Sequence, residues 1–343
     1  MPSHLILPDL KSPVCALFPK ATNPHYGAVS EESREWIDSF AFFPDKKRVQ
    51  FQQCIFELLA SHSYPYADYS KFRVCCDFLN LVFALDEVSD EQNGSDARET
   101  MNVYVRAMRG LTVDEGTKLY QATKEFRERL VVGIGPRCFQ RFIKHGEEYV
   151  DAVTVEAYLR EEGKVLSIKD FLPTRRDNSG VRQCFCLIEY SLGIDLPEFV
   201  FEDPTFQDIY WAGVDLICWE NDLYSYRMEL ARGISGINFV TVLMNELDLD
   251  IQGAADHVGE VCVGLLSQYE RGRKNLPSWD AETDIAVARY VKALGCWIRS
   301  LVDWSFETPR YFGQDALEVK RTRIVKLPSN DRDGTYNPSC NSR

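Results

Sequence analysis

The sequence predicts an all-α fold, a single helical bundle packed around an apolar interior. Helical periodicity runs through most of the chain, and no stretch alternates apolar and polar residues in the manner of a half-buried strand. Several predicted helices of 20 or more residues are apolar on more than one side, which suits a position inside a bundle. With 343 residues, 45% of them hydrophobic, the chain can bury a large core. No linker-like stretch divides its middle, so one domain is expected.

The elements follow in order. Residues 1–29 are proline-rich and read as an irregular segment, after which SEESREWIDSF opens a helix with a serine and acidic residues. Periodicity then predicts helices over 47–62, 68–91, 96–109, 113–131, 136–160, 181–192, 205–231, 236–247, 251–274 and 280–307. Breaks are expected at Pro65, Asn93-Gly94, Gly133 to Pro136, Pro173, Pro197 and Leu276-Pro277. The helical domain should span 30–328. The tail from 329, SNDRDGTYNPSCNSR, is polar and aperiodic and reads as disordered.

Composition narrows the function. A formal charge of −13 argues against nucleic acid or an anionic membrane as partner, because both favour a basic surface. An anionic ligand would need metal ions or local arginines. The 11 cysteines are odd in number, and Cys75-Cys76 and Cys184-x-Cys186 lack the spacer of common zinc or redox sites. Reduced, buried thiols are expected. The N-terminus is too proline-broken for a signal peptide and no run approaches a membrane span, so a soluble cytoplasmic protein is expected. The five histidines show no metal-ligand spacing.

One motif stands out. In WENDLYSYRME, Asn221, Ser225 and Glu229 recur at four-residue intervals, which places them on one slanted stripe about 6 Å apart per step. An amide oxygen, a hydroxyl and a carboxylate are hard donors of the kind that suits Mg²⁺. A solvated polar face is the plain alternative, but this set should arise only about 0.06 times by chance in such a chain. A second acidic cluster ends the apolar helix FLNLVFALDEVSDE, where Asp86 and Asp90 share a face with Phe83 one turn earlier. Acids at i, i+1 and i+4 should arise roughly once by chance. Glu31-Glu32 with Glu35, and Glu147-Glu148 with Asp151, match the same pattern and read as solvated faces. Context separates Asp86, because LVFAL runs directly into it.

These residues carry a resemblance to the fungal class I sesquiterpene synthases, especially the basidiomycete type. Asp86-Glu87-Val88-Ser89-Asp90 resembles the family's aspartate-rich motif, Asn221 to Glu229 its second metal motif, and Arg310-Tyr311 its C-terminal diphosphate-contacting pair. Arg175 lies 46 positions before Asn221, where the family has a diphosphate-sensing arginine. NPHY, SYPY and WSFETPRYF extend the similarity over nearly all but the tail. The resemblance implies a class I terpenoid synthase bundle around an apolar active-site cavity, with three Mg²⁺ held by Asp86, Asp90, Asn221, Ser225 and Glu229. It implies farnesyl diphosphate as substrate, cavity aromatics such as Phe83 and Trp304, and a monomer or homodimer. The nearest members close an eleven-membered ring, as protoilludene-type cyclases do.

Two positions depart from the family pattern. The acidic residue that links the sensor arginine to substrate is replaced around Asn178, with Asp177 adjacent, and Met228 stands where many relatives have lysine, a charge that the adjacent Arg227 is expected to supply. Trp297, Leu301 and Trp304 form a stripe that also suits simple core packing. Arg175 after Pro173, and Arg310 after Pro309, also suit exposed loops. The rival readings are a prenyl-elongating diphosphate synthase, which would carry a second aspartate-rich motif in place of WENDLYSYRME, and a helical scaffold with no magnesium dependence.

Overall fold

The computed structural model describes residues 3–112 and 116–328. From the N-terminus come β1 (His4–Ile6), α1 (Lys11–Leu17), α2 (Tyr26–Ser39), α3 (Asp45–Gln53), α4 (Phe56–Ser63), α5 (Tyr69–Ser89), α6 (Gly94–Met108), α7 (Lys118–Leu130) and α8 (Pro136–Glu162). The second half holds α9 (Ile168–Asn178), α10 (Val181–Leu192), α11 (Glu198–Glu202), α12 (Pro204–Arg232), α13 (Phe239–Leu247), α14 (Ile251–Lys274), α15 (Ala281–Glu307), α16 (Pro309–Phe312), α17 (Ala316–Thr322) and β2 (Ile324–Lys326). Among the described residues the bundle is all-α apart from one antiparallel β1–β2 ladder, which pairs Leu5 with Val325.

The bounds follow the chain's own stop signals. Asp68, Asn93, Thr117, Asp203, Asp250 and Asp280 each cap a helix by accepting a backbone N–H near its start. Gly163, Gly193 and Gly233 end α8, α10 and α12 in the left-handed region, which glycine enters without steric cost. The cysteines among the described residues are free, and all but Cys15 are buried. No helix among them is long and apolar enough to cross a membrane.

Several local expectations fail for tertiary reasons. The described part of the 1–29 segment is not wholly irregular: it holds β1, α1 and the start of α2. The partner of β1 lies at the far end of the chain, and α1 buries Val14 in the common core, so neither shows in local periodicity. The predicted 47–62 helix is split by Ile55 at φ +46°. The break frees the carbonyls of Cys54 and Ile55, which accept from Trp304 Nε1 at 3.0 and 3.2 Å, while Thr308 Oγ1 also donates to Cys54. Pro173 does not break the chain; it sits inside α9, whose cap Ser167 accepts from Asp170 N. The first residues of the predicted 113–131 helix and the tail from 329 lie outside the described residues.

Candidate active site

Helix α12 is buried along most of its length, including Val214, Leu216, Ile217, Trp219 and Leu223. Its Asn221, Ser225 and Glu229 face one cavity. Ser225 Oγ donates to Glu229 Oε1 at 2.5 Å, and Asn238 Nδ2 donates to Glu229 Oε2 at 2.9 Å. Burial, followed by the nearby Asp222 carboxylate, pushes Glu229 up to about 7. Asn221 uses both ends of its amide: Oδ1 accepts from Arg175 Nη2 at 2.8 Å, and Nδ2 donates to the Tyr311 hydroxyl at 2.9 Å.

Another wall is the C-terminal half of α5 with its C-cap Asp90, where Leu79, Val82, Phe83, Asp86 and Asp90 line the same cavity. Although 43% of the Asp86 side chain is open to that space, the surrounding protein and then Asp90 push it up to about 7. Burial, then Glu156, pushes Asp90 up to about 7. Glu87 behaves in the opposite way. Burial alone would raise it, but Arg310, Arg232 and Lys47 hold it near 2. Its carboxylate lies 2.7 Å from Arg232, 3.2 Å from Arg310 and 3.7 Å from Lys47. The same arginines reach the cavity-facing acids only at longer range, Arg310 to Asp86 at 3.7 Å and Arg232 to Asp90 at 3.6 Å.

Arg175 projects from α9 rather than from a loop. Its Nε donates to Asp222 Oδ1 at 2.8 Å, and its Nη1 donates to Asn178 Oδ1 at 3.0 Å. Asn178 Nδ2 in turn donates to Glu156 Oε2 at 2.7 Å. The neighbouring Arg176 points elsewhere, onto Asp215 at 2.7 Å and the Trp211 ring at 4.8 Å.

The expected residues Asp86, Asp90, Asn221, Ser225, Glu229, Arg175, Arg310, Tyr311 and Phe83 all line one cavity. Its unfilled space is about 1110 Å³ with the mouth included. Arg310 and Tyr311 belong to the short helix α16, begun by Pro309 and capped by Thr308. Trp304 is a correction. Its indole N–H is drawn to the carbonyls freed at Ile55, so the ring packs behind the wall, 6.0 Å from Phe83 and 5.6 Å from Tyr311. Trp297 and Leu301, earlier on α15, face the cavity instead. Arg227 is a second correction, since it pairs with Asp315 at 3.8 Å and is not part of the lining, whereas Met228 is. The cation on this part of α12 is Arg232. Its place was legible, because it lies seven residues after Ser225 and three after Glu229, on the same helical stripe. Glu156 had no such signal; it lies mid-helix in α8, and only tertiary packing brings it to the cavity.

The α12 row of amide, hydroxyl and carboxylate oxygens and the α5 carboxylates line the same cavity. Among the described residues, no group of three or more His, Cys, Asp or Glu could hold a metal ion, which disfavours a closed zinc-type site. A hard cation that takes few protein oxygens and completes its shell with waters or phosphate oxygens fits this donor set. The raised Glu229, Asp86 and Asp90 are carboxylates that a positive ion would return to their ionised form.

A family model described as terpene synthase family 2, C-terminal metal binding, matches residues 77–268. The chain belongs to the terpene synthase family. A protein of Coprinopsis cinerea named linoleate 10R-lipoxygenase is 49% identical over 94% of this chain and 92% of its own length. A bifunctional terpene synthase of Cyclocybe aegerita is 47% identical over 95% of this chain and 94% of its own. The two names differ in chemistry, and the family model agrees with the second. The germacradien-4-ol synthase of Streptomyces citricolor shares the fold, with a TM-score of 0.75 at 20% identity over 85% of this chain and 97% of that one. The family's description names metal binding, and the matched residues of this terpene synthase, 77–268, contain both the α5 and α12 rows.

Proposed function

We propose that this terpene synthase is a sesquiterpene synthase that ionises farnesyl diphosphate and cyclises the resulting carbocation, releasing diphosphate. The observation that carries the reading is the layout of the cavity. Two rows of hard oxygen donors and three arginines share it with Leu59, Leu79, Ile217, Trp297 and Leu301, and on α5 and α12 the apolar Leu79 and Ile217 stand one to two turns before the first oxygen donor of their helix. A charged head and a long apolar tail match these two zones.

Asp86 and Asp90 on one side, and Asn221, Ser225 and Glu229 on the other, would hold Mg²⁺, three ions by family resemblance. When bound, Mg²⁺ neutralises charge on the departing diphosphate. The chain's own residues supply the rest. Arg175, Arg310, Arg232 and the Tyr311 hydroxyl donate hydrogen bonds to diphosphate oxygens, and charge-assisted bonds of this kind are the stronger ones. The apolar lining keeps water from the cation. Phe83, held parallel to Phe56 with ring centres 3.9 Å apart, offers a face whose cation–π attraction is worth about 2 kcal/mol when desolvated.

The test is turnover of farnesyl diphosphate with Mg²⁺ and collection of the headspace. A cyclic C15 hydrocarbon is expected, and mass spectrometry of the product shows whether an eleven-membered ring formed on the way. Longer prenyl diphosphates as product, or turnover indifferent to a chelator, would overturn the reading. Glu229→Gln should lower turnover most at limiting Mg²⁺.

A further inference from the structure

We propose that Glu156 is a positioning residue that sets the orientation of Arg175 through Asn178, and so holds one end of a polar belt along the cavity wall. The inference rests on the diphosphate-binding role given to Arg175 above. The belt runs from Glu156 through Asn178, Arg175 and Asn221 to Tyr311, with bonds of 2.7, 3.0, 2.8 and 2.9 Å. It joins α8, α9, α12 and α16.

The two ends of the Arg175 guanidinium are held differently. At Nε the partner Asp222 is fixed from behind, because its Oδ2 accepts Phe239 N at 2.9 Å and its backbone carbonyl accepts Asn238 Nδ2 at 2.9 Å. At Nη1 the partner is Asn178, the last residue of α9, whose amide can turn over at little cost unless something holds it. Arginine only donates, so the amide must present its oxygen to Arg175. The NH₂ group then faces Glu156, which supplies the acceptor. Without that acceptor, a turned amide would aim its NH₂ at a guanidinium. The departure of Asn178 from an acidic residue is thereby made good: the carboxylate stands one residue further along the belt, on α8. Arg175 is held by Asn178 while its Nη2 occupies Asn221 Oδ1, so the guanidinium can exchange Asn221 for an incoming anion without losing its other anchors.

Binding of inorganic pyrophosphate with Mg²⁺, followed by calorimetry on the full chain, tests the arrangement, with KM for farnesyl diphosphate as companion. Glu156→Met removes the acceptor and should weaken pyrophosphate about tenfold. Glu156→Gln keeps an acceptor oxygen and should remain within about threefold of the parent. Asn178→Asp sets two carboxylates against each other and should weaken binding about tenfold, and adding Glu156→Gln to it should restore the parental value, since the new amide donates to the new carboxylate. A packing role would make the two changes additive. Parental affinity in Glu156→Met, or a double variant as weak as Asn178→Asp, would overturn the proposal, and the second pair decides should the first variant not fold. Failure of the parent to convert farnesyl diphosphate would instead count against the function, since the pyrophosphate comparison does not depend on the prenyl chain.

Discussion

Helices α5 and α8 carry the same acidic spacing with opposite consequences. On α5 the residues are Asp86, Glu87 and Asp90; on α8 they are Glu147, Glu148 and Asp151. The α8 acids are already answered. Glu147 accepts from Arg109 at 2.6 Å, Glu148 meets Arg182 at 2.8 Å and His145 at 3.0 Å, and Asp151 pairs with Arg98 at 2.9 Å. The His145 hydrogen bond, with Arg182, holds Glu148 below its ordinary range despite partial burial. On α5 the cavity-facing Asp86 and Asp90 are both pushed up. Spacing fixes which side chains share a face. Surroundings decide how closely that face is answered, with partners at 3.0 Å or less for each acid on α8 but arginines no nearer than 3.6 Å to Asp86 and Asp90.

The largest expected effect is on catalysis. Asp86→Asn keeps the size of the side chain but removes a charged oxygen donor from the cavity, so kcat/KM should fall by about 10²- to 10³-fold. Glu147→Gln, the matching change on α8, should leave it within about twofold. Steady-state turnover of both proteins is the check. Equal losses would mean that the acidic pattern, and not the cavity beside it, carries the function.

The middle members separate next, by stability. Glu87 is buried and paired with three cations, so Glu87→Gln takes the nearest carboxylate from the buried Arg310 guanidinium and should cost about 3 kcal/mol or more. Glu148 is part-exposed, and Glu148→Gln should cost less than about 1 kcal/mol. Denaturant unfolding of the metal-free protein measures both. Similar costs would show that Glu87 is not the anchor its distances imply.

A smaller difference should appear against pH. Asp86 and Asp90 sit at about 7 in the folded protein, above the ordinary 3.8. Between those values the folded chain binds more protons than the unfolded one, so this contribution is complete at low pH and is lost as pH rises through 7. In chelator, the unfolding midpoint should therefore decline from pH 5 to 8, and Asp90→Asn should flatten the decline. Mg²⁺ should raise the midpoint more at pH 8 than at pH 5, because its ligands must be ionised. Glu148 is lowered, so its contribution is lost only as pH falls below the ordinary carboxylate range.

How much of this was legible depended on how local the cause was. The long helices follow from periodicity, and α10 and α14 have the predicted bounds. The α12 stripe was readable because a helix turns regularly, so Asn221, Ser225 and Glu229 had to share a face. The break at Ile55 was not readable, since its freed carbonyls are satisfied by Trp304 and Thr308 some 250 residues away. That same contact removed Trp304 from the cavity. Nor could sequence divide Asp86 from Glu87, adjacent residues shifted in opposite directions, Asp86 up by burial and Asp90, and Glu87 down by Arg310 and Arg232 on other helices. Glu156 was hidden for the same reason, since its meaning depends on where α9 places Asn178.

The last members of the two trios should differ least in stability and most in kind. Asp151 is 70% exposed and its partner Arg98 is 46% exposed, so water already solvates both charges and the pair should be worth less than about 0.5 kcal/mol. Asp151→Asn should leave the unfolding midpoint, turnover and Mg²⁺ dependence at parental values. Asp90→Asn should leave the fold intact while raising the Mg²⁺ concentration needed for half-maximal turnover. Glu35→Gln, in the exposed acidic run on α2, should be as silent as Asp151→Asn. Were either of these to shift the Mg²⁺ requirement, solvated acids would be drawing ions toward the mouth from a distance, an effect that 0.15 M salt should screen over about 8 Å. Repeating the titration with added salt separates that long-range attraction from ligation, because only contact with the ion survives the screening.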